Sequence, residues 1–226
     1  MILKERDNRA PITIRRILVA LDASPHSLAA LDAAIELAAR FKAELLGLYV
    51  EDRNVLRLAE LPFTREMDFL SARTRRMRMR EIERQLRVQM QHVRDIFSGI
   101  TRRAHVRASF RVARGAVISE VVTAASDADV LILGKIGRSL TSAKRLGSTT
   151  RSMLAEGPAL TLILQDGVRL EMPVCVAYDG SPLARKALRV AVTLLSQKRE
   201  PLIVFLVADA TSAEAASRRA SRLHAQ

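Results

Sequence analysis

The stretch that decides the fold is Val130-Leu131-Ile132-Leu133-Gly134-Lys135-Ile136-Gly137, followed by nine residues from Arg138 to Leu146 and then by Gly147-Ser148-Thr149-Thr150. Four apolar residues without alternation suit a strand covered on both faces, as strands of a parallel sheet are. Gly134 ends that strand, and Ser148 opens a helix predicted to run through Ala155. Strand, glycine loop and helix in this order set backbone N–H groups at a strand's carboxyl end. Glycines there admit positive φ and let a ligand approach with no Cβ in the way. The helix start adds free donors and a dipole that favours an anion, and the hydroxyls of Ser148 and Thr149 offer further hydrogen bonds. Three glycines standing alone would need no explanation beyond a turn and a cap. What flanks them decides.

Upstream, Ile17 to Leu21 is a second continuous apolar run, and it ends at Asp22. Ser24 and Pro25 then read as an N-cap and a first helical position, since serine can accept from an orphan N–H and proline has none to orphan. Leu28, Leu31, Ala34, Ile35, Leu37 and Ala38 recur at helical spacing, which predicts a helix to about Arg40 with one face on the sheet. Glu44 to Val50 is the next strand and Glu51 to Pro62 a connection. A long arginine-rich helix is expected from about Thr64 to Phe97, closed by Ser98-Gly99, with Met67, Leu70, Met77, Ile82, Leu86, Met90 and Val93 as its buried stripe. His105 to Val112 reads as a third strand, Ala116 to about Ser126 as a helix after Gly115, and Ala159 to Leu164 as a fifth strand. Alternating strands and helices with apolar strands predict an α/β fold, a doubly wound five-stranded parallel sheet of Rossmann-like type. Ligands of such sheets lie at the carboxyl ends of the strands, where Asp22 and Gly134 both fall.

Downstream, Val174 to Pro182 repeats the grammar of Leu18 to Pro25, with Asp179 aligned to Asp22 at an offset of 157 (179 minus 22). The same offset, without a gap, pairs Ser24 with Ser181, Pro25 with Pro182, Leu31 with Leu188, Ala34 with Ala191, Leu37 with Leu194, Val50 with Val207 and Asp52 with Asp209. Register that persists through strand, helix and strand argues for duplication. Only a helical tail from Ser212 to about Leu223 follows, so the second repeat reads as partial. Two parallel strands with open edges are marginal alone, and the half-unit either comes from a truncated tandem protein or docks on the first domain or another subunit. The expected organisation is a complete domain at 13–165, a linker at 166–172 and a partial second repeat at 173–226.

Composition narrows the classes. The chain has 226 residues, 49% of them hydrophobic, which suffices for one full core. A lone cysteine, Cys175, excludes a disulfide framework and a cysteine-based metal cluster, and fits a reducing, cytoplasmic compartment. The start MILKERDNRA is too polar for a secretory signal, and every apolar run falls short of the roughly 20 residues needed to span a bilayer, so no membrane partner is expected. The net charge of +13 would suit a nucleic-acid partner. Its arginines, however, concentrate between Arg65 and Arg103 among Glu66, Asp68, Glu81, Glu83 and Asp95, without interleaved stacking aromatics. A solvated helix face is the simpler reading, and contact with nucleic acid or another acidic partner is the minority one.

The spacing G-x2-G-x9-G-S after the fourth strand, together with a strand-terminal Asp in the first, resembles the nucleotide-binding signature of the universal stress protein family. The resemblance covers roughly Arg15 to Leu164 as one full domain and Val174 onward as the first part of a second, which implies the tandem type. It implies the adenine nucleotide α-hydrolase-like fold and a site for ATP across the strand ends. Carried over residue by residue, Asp22 recognises the adenine with the backbone at Val50, and Ala20, Leu21 and Leu133 line the base and ribose. Gly134 and Gly137 approach ribose and phosphates, and Gly147, Ser148, Thr149 and Thr150 hold the phosphate tail. A magnesium ion accompanies the phosphates, held by nucleotide and water with no direct protein ligand. The resemblance also implies a homodimer through the fifth strand and an unidentified protein partner. Lys135 and Ile136 depart from the pattern, since polar residues or histidine are common there. Lys135, Arg138, Lys144 and Arg145 either replace that contact or are solvated loop charges. Asp22 read alone caps a helix, and Asp179 more so, because no glycine loop completes its site.

Two other functions stay open on the sequence. A slow ATP hydrolase would need a base, a metal clamp and a group for developing charge. The histidines His26, His92, His105 and His224 are scattered, and neither the P-loop spacing G-x4-G-K-[ST] nor a G-x-S-x-G elbow occurs. No catalytic residues are assigned, and binding is expected over dedicated catalysis. A nucleotide-independent dimeric scaffold is the other reading, and the intact glycine pattern speaks against it.

Overall fold

The computed structural model describes residues 13–60, 65–67, 74–76, 79–137, 146–156, 160–167, 174–195 and 202–206. The chain divides into two compact units, one of residues 14–169 and one of residues 170–226 with the first thirteen. In the first unit, β1 (Arg16–Leu21), β2 (Glu44–Asp52), β5 (Ala108–Gly115), β6 (Val130–Gly134) and β7 (Thr161–Leu164) form one parallel sheet in the order β5-β2-β1-β6-β7. The order reverses between β1 and β6, so the ends of these two strands flank the crevice where such sheets take ligands.

Each face of the sheet has its own cover. Right-handed crossovers put the helices α1 (Pro25–Phe41) and α3 (Met79–Arg103) on one face, and α4 (Val117–Ala125) and α5 (Ser148–Glu156) on the other. On the α1 side lie Ile17, Val19, Leu21 and Leu45, all buried. Gly47, beside Val19 in register, leaves room there for α3: a Cβ on it would stand 2.6 Å from the Phe97 ring. On the other face Leu18, Leu48, Leu131 and Leu133 close against Val121, Ala124 and Ala125 of α4 and Met153 of α5. Runs without alternation are thus strands buried on both sides, as the sequence predicts.

The arginine-rich segment differs from the sequence reading. The expected connection after β2 holds a helix, α2 (Arg53–Glu60), and the single helix expected from Thr64 is replaced at its start by two short antiparallel strands, β3 (Arg65–Met67) and β4 (Thr74–Arg76). Between Leu70 and Met77 the sequence supplies no large apolar residue to continue a stripe, and these two members of the expected stripe lie outside the described residues. Helix α3 then begins at Met79 and passes through Ser98-Gly99 to Arg103. Phe97, buried against Gly47, and Thr101, whose hydroxyl donates to the Phe97 carbonyl at 2.8 Å, carry it through the glycine. The turn that ends it puts a non-glycine, His105, at φ 53, with Val106 N–H donating to the Thr101 carbonyl at 3.1 Å. The third strand of the sheet accordingly starts at Ala108, later than expected.

In the second unit β8 (Val174–Tyr178) and β9 (Leu202–Leu206) pair in parallel, and α6 (Pro182–Leu195) packs on them. Val176 of β8 and Ala184, Ala191 and Leu195 of α6 are buried together on one face. The opposite face carries Cys175, Ala177, Ile203 and Phe205, all exposed. By the offset of 157 these align with Leu18, Ala20, Leu46 and Leu48 (175 minus 18, 205 minus 48), the face that α4 and α5 cover in the first unit. The predicted tail from Ser212 lies outside the described residues. Among the described residues no helix is long and apolar enough to cross a membrane.

Candidate functional site

The carboxyl ends of β1 and β6 meet at the start of α1 and α5. After Leu21 the chain turns sharply, with Ala23 at φ 64, a left-handed conformation that costs a non-glycine residue roughly 1 kcal/mol. The Asp22 carboxylate stabilises this turn, since its Oδ1 accepts the Ser24 N–H at 3.0 Å. Ser24 caps α1: its Oγ accepts the Ser27 N–H at 3.1 Å, and the Ser27 hydroxyl donates back to the Ser24 carbonyl at 2.9 Å. The Ser24 hydroxyl also reaches the Ile136 carbonyl at 3.4 Å, which ties the glycine loop to α1. Ser27 is a buried polar residue of the site that the motif reading missed; S-P-x-S after a strand-terminal Asp is the signal that marks it.

Two of the three glycines, Gly134 and Gly137, are needed for close approach, whereas a Cβ on Gly147 would meet its neighbours at an ordinary 3.4 Å. None of them takes positive φ; among non-glycine residues here that role falls to Ala23, and glycines with positive φ occur at Gly167 and Gly180. This corrects one of the two reasons given for them on sequence. A Cβ on Gly137 would stand 2.8 Å from the Asp22 Oδ2, and one on Gly134 would stand 2.8 Å from the His26 backbone carbon. Gly147 packs against the backbone of Lys135, Ile136 and Gly137, and its N–H donates to the Lys135 carbonyl at 2.9 Å. The loop's two ends are therefore in contact, with the exposed Gly137 beside the Asp22 carboxylate.

The remaining predicted residues divide by position. Val50 and Ala20 are half-buried at the carboxyl ends of β2 and β1, packed on the core cluster. Leu21 and Leu133 are buried side chains, which leaves only their backbone for a ligand. Ser148 is exposed and Thr149 half-exposed at the first turn of α5. Thr150 is buried, and its Oγ1 donates to the Gly134 carbonyl at 2.8 Å, so this hydroxyl fastens α5 to the end of β6. Lys135 Nζ donates to Gln165 Oε1 at 2.7 Å, and Ile136, the departure from the family pattern, is a buried core residue. His26 Nδ1 accepts the Asp166 N–H at 2.7 Å and binds the segment after β7 to α1. Arg138, Lys144 and Arg145 lie outside the described residues. Asp179 Oδ1 accepts the Ser181 N–H at 2.8 Å, and Ser181 Oγ accepts the Ala184 N–H at 3.1 Å, the same turn and cap as at Asp22.

The described part of the site joins loop backbone, a helix start and one carboxylate. Backbone at the exposed Gly137 is open to approach, α5 presents its N-terminus next to the loop, and the Asp22 carboxylate is an acceptor beside it. No group of three or more His, Cys, Asp or Glu able to hold a metal occurs among the described residues. A magnesium ion at this site would depend on phosphate oxygens and water for its ligands.

Comparison with known proteins agrees with this architecture. Residues 13–164 match the universal stress protein family. Universal stress protein UspA from Lactobacillus plantarum is similar in structure with a TM-score of 0.51 at 19% identity, over 68% of this chain and 99% of that one. A universal stress protein from Archaeoglobus fulgidus DSM 4304 is similar with a TM-score of 0.62 at 18% identity, over 93% of this chain and 73% of that one. At these identities the likeness is one of fold, and the second extends beyond residues 13–164. Among proteins with curated functions none matches the chain.

Proposed function

Because the chain belongs to the universal stress protein family, we propose that it binds ATP at the ends of β1, β2 and β6 and acts as a nucleotide-dependent stress-response or signalling module. One observation carries this reading: the loop closes on itself at Gly137 and Gly147 while the Asp22 carboxylate lies against Gly137, where any side chain would fill the cradle. Asp22 takes the adenine amine with the Val50 backbone, Gly134 and Gly137 take ribose and phosphates, and Gly147, Ser148 and Thr149 take the phosphate tail. Magnesium travels with the phosphates. The same proposal includes a homodimer through edge strand β7 and action in the cytoplasm. ATP occupancy signals by favouring the conformer or oligomer that binds it more tightly, and a partner reads that shift.

The test is calorimetric titration of nucleotide-stripped protein with ATP and magnesium, beside a Gly137→Leu variant whose circular dichroism matches the parent. Saturable binding at one site per chain that the variant loses supports the proposal. Absence of binding by the folded parent overturns it and leaves a nucleotide-independent scaffold.

A further inference from the structure

The edge of the sheet away from β7 carries a second surface that nucleotide binding does not use. Strand β5 pairs with β2, and among the described residues it has no partner on its other side. Leu45 N–H donates to the Arg107 carbonyl at 2.9 Å. In a strand the N–H and C=O of one residue point to the same side and alternate along the chain. The backbone groups of 107, 109 and 111 thus face β2, and those of Ala108, Phe110 and Val112 face outward. Such an edge is a template for another strand unless something blocks it.

Arginines outnumber carboxylates around the edge, where Glu51 is paired with Arg114 and Glu120 lies at the far end against Gly115. Arg107 and Arg111 are exposed on the α4 side of β5, about 13 Å apart at strand rise. On the α3 side the Arg94 guanidinium lies 5.4 Å from the Phe110 ring centroid, and Arg114, exposed, pairs with Glu51 at 2.9 Å. Strand β5 itself contains no acidic residue. An added strand would alternate its side chains between these two faces and meet an arginine on each.

We propose that β5 is a docking edge for an extended acidic polypeptide segment, which adds as a strand through backbone hydrogen bonds to Ala108, Phe110 and Val112 and places carboxylates against Arg107 and Arg111. Main-chain pairing supplies affinity and the arginines supply selection for charge. A single-stranded nucleic acid would use the arginines but not the N–H row, and its bases would need stacking faces. Phe110 is already engaged by Phe97, at 5.4 Å between centroids, and by Arg94.

Fluorescence anisotropy of the full-length protein with a fluorescein-labelled eight-residue peptide of alternating Glu and Val tests this, with a Lys and Val peptide and a single-stranded oligonucleotide as comparisons. Two variants separate the contributions. Ala108→Pro removes one outward N–H and leaves the bonds to β2 in place, and Arg107→Glu with Arg111→Glu reverses the charge on an exposed face. The expected result is saturable binding of the acidic peptide alone, weakened at least tenfold by either variant and by raising salt from 50 to 300 mM. No binding by the parent overturns the proposal and makes the arginines guards against strand pairing. Binding that the charge reversal abolishes but Ala108→Pro leaves unchanged also overturns it, as does preference for the oligonucleotide.

Discussion

Replacing Thr150 by valine separates structural support from ligand contact at the glycine loop. Thr150 is 3% exposed, and its hydroxyl donates to the Gly134 carbonyl at 2.8 Å. Valine keeps the branched shape and removes the donor. A buried hydrogen bond is worth about 1 kcal/mol net, and an acceptor left without its donor raises the loss toward 2 kcal/mol. We expect urea unfolding, followed by far-UV circular dichroism, to show a loss of about 1–2 kcal/mol with unchanged m. Because the hydroxyl is spent on the chain's own carbonyl, ATP affinity of the folded variant should change less than about threefold, which is roughly 0.7 kcal/mol. Ser148→Ala is the counterpart: the side chain is exposed at the start of α5, so stability should hold within about 0.5 kcal/mol while affinity falls about five- to tenfold. Unchanged stability together with lost ATP binding in Thr150→Val would refute the assignment and return Thr150 to the phosphate tail.

Gly99→Ala should stabilise the protein by about 0.5–1 kcal/mol, because Gly99 lies inside α3 and a Cβ there meets nothing within 4 Å; a loss of stability in thermal unfolding would contradict the helix described here. Ala23→Gly should raise stability by up to about 1 kcal/mol, since the strain of φ 64 exceeds the entropy glycine regains on unfolding, and a melting point below the parent's would count against that balance. Leu48→Ala should cost about 2–5 kcal/mol, whereas Phe205→Ala at the aligned position should cost less than about 1 kcal/mol, Leu48 being 1% exposed and Phe205 58%. Equal losses by denaturant titration would mean that the Phe205 face is covered in solution.

How far the sequence could be read depended on where its signals came from. Strands at Ile17–Leu21 and Val130–Leu133 were legible because burial on both faces leaves an unbroken apolar run, a signal no other short element shares with the flanking turn residues. The segment from Thr64 was not, because arginine is a good helix former and propensity outlasted the apolar stripe that has to hold a helix on a core. Gly99 misled for a related reason: a glycine marks a helix end only if the chain has somewhere to turn, and Phe97 and Thr101 carry α3 past it. At the site, one of the two reasons the sequence offers for the glycines holds in the structure. Packing against Asp22 requires Gly137 and packing against His26 requires Gly134, while the positive φ falls on Ala23, which no motif distinguishes.

The aligned turns at Asp22 and Asp179 show which properties follow from local sequence. In both, an aspartate accepts from the serine two residues on, the next residue takes positive φ, and the serine caps a helix that starts with proline. Ala23 meets this requirement under strain, and Gly180, at φ 82, meets it freely. Burial does not follow in the same way. Leu18 is fully buried and Cys175 is exposed, although the strands around them are built alike, because the cover comes from helices that arrive later in the first unit. A nucleotide site has the same dependence: the aspartate turn forms locally, but the cradle exists only where β6, the glycine loop and α5 return to it. Asp22 has that company and Asp179, among the described residues of the second unit, has none, so under the ATP proposal nucleotide is expected in the first unit.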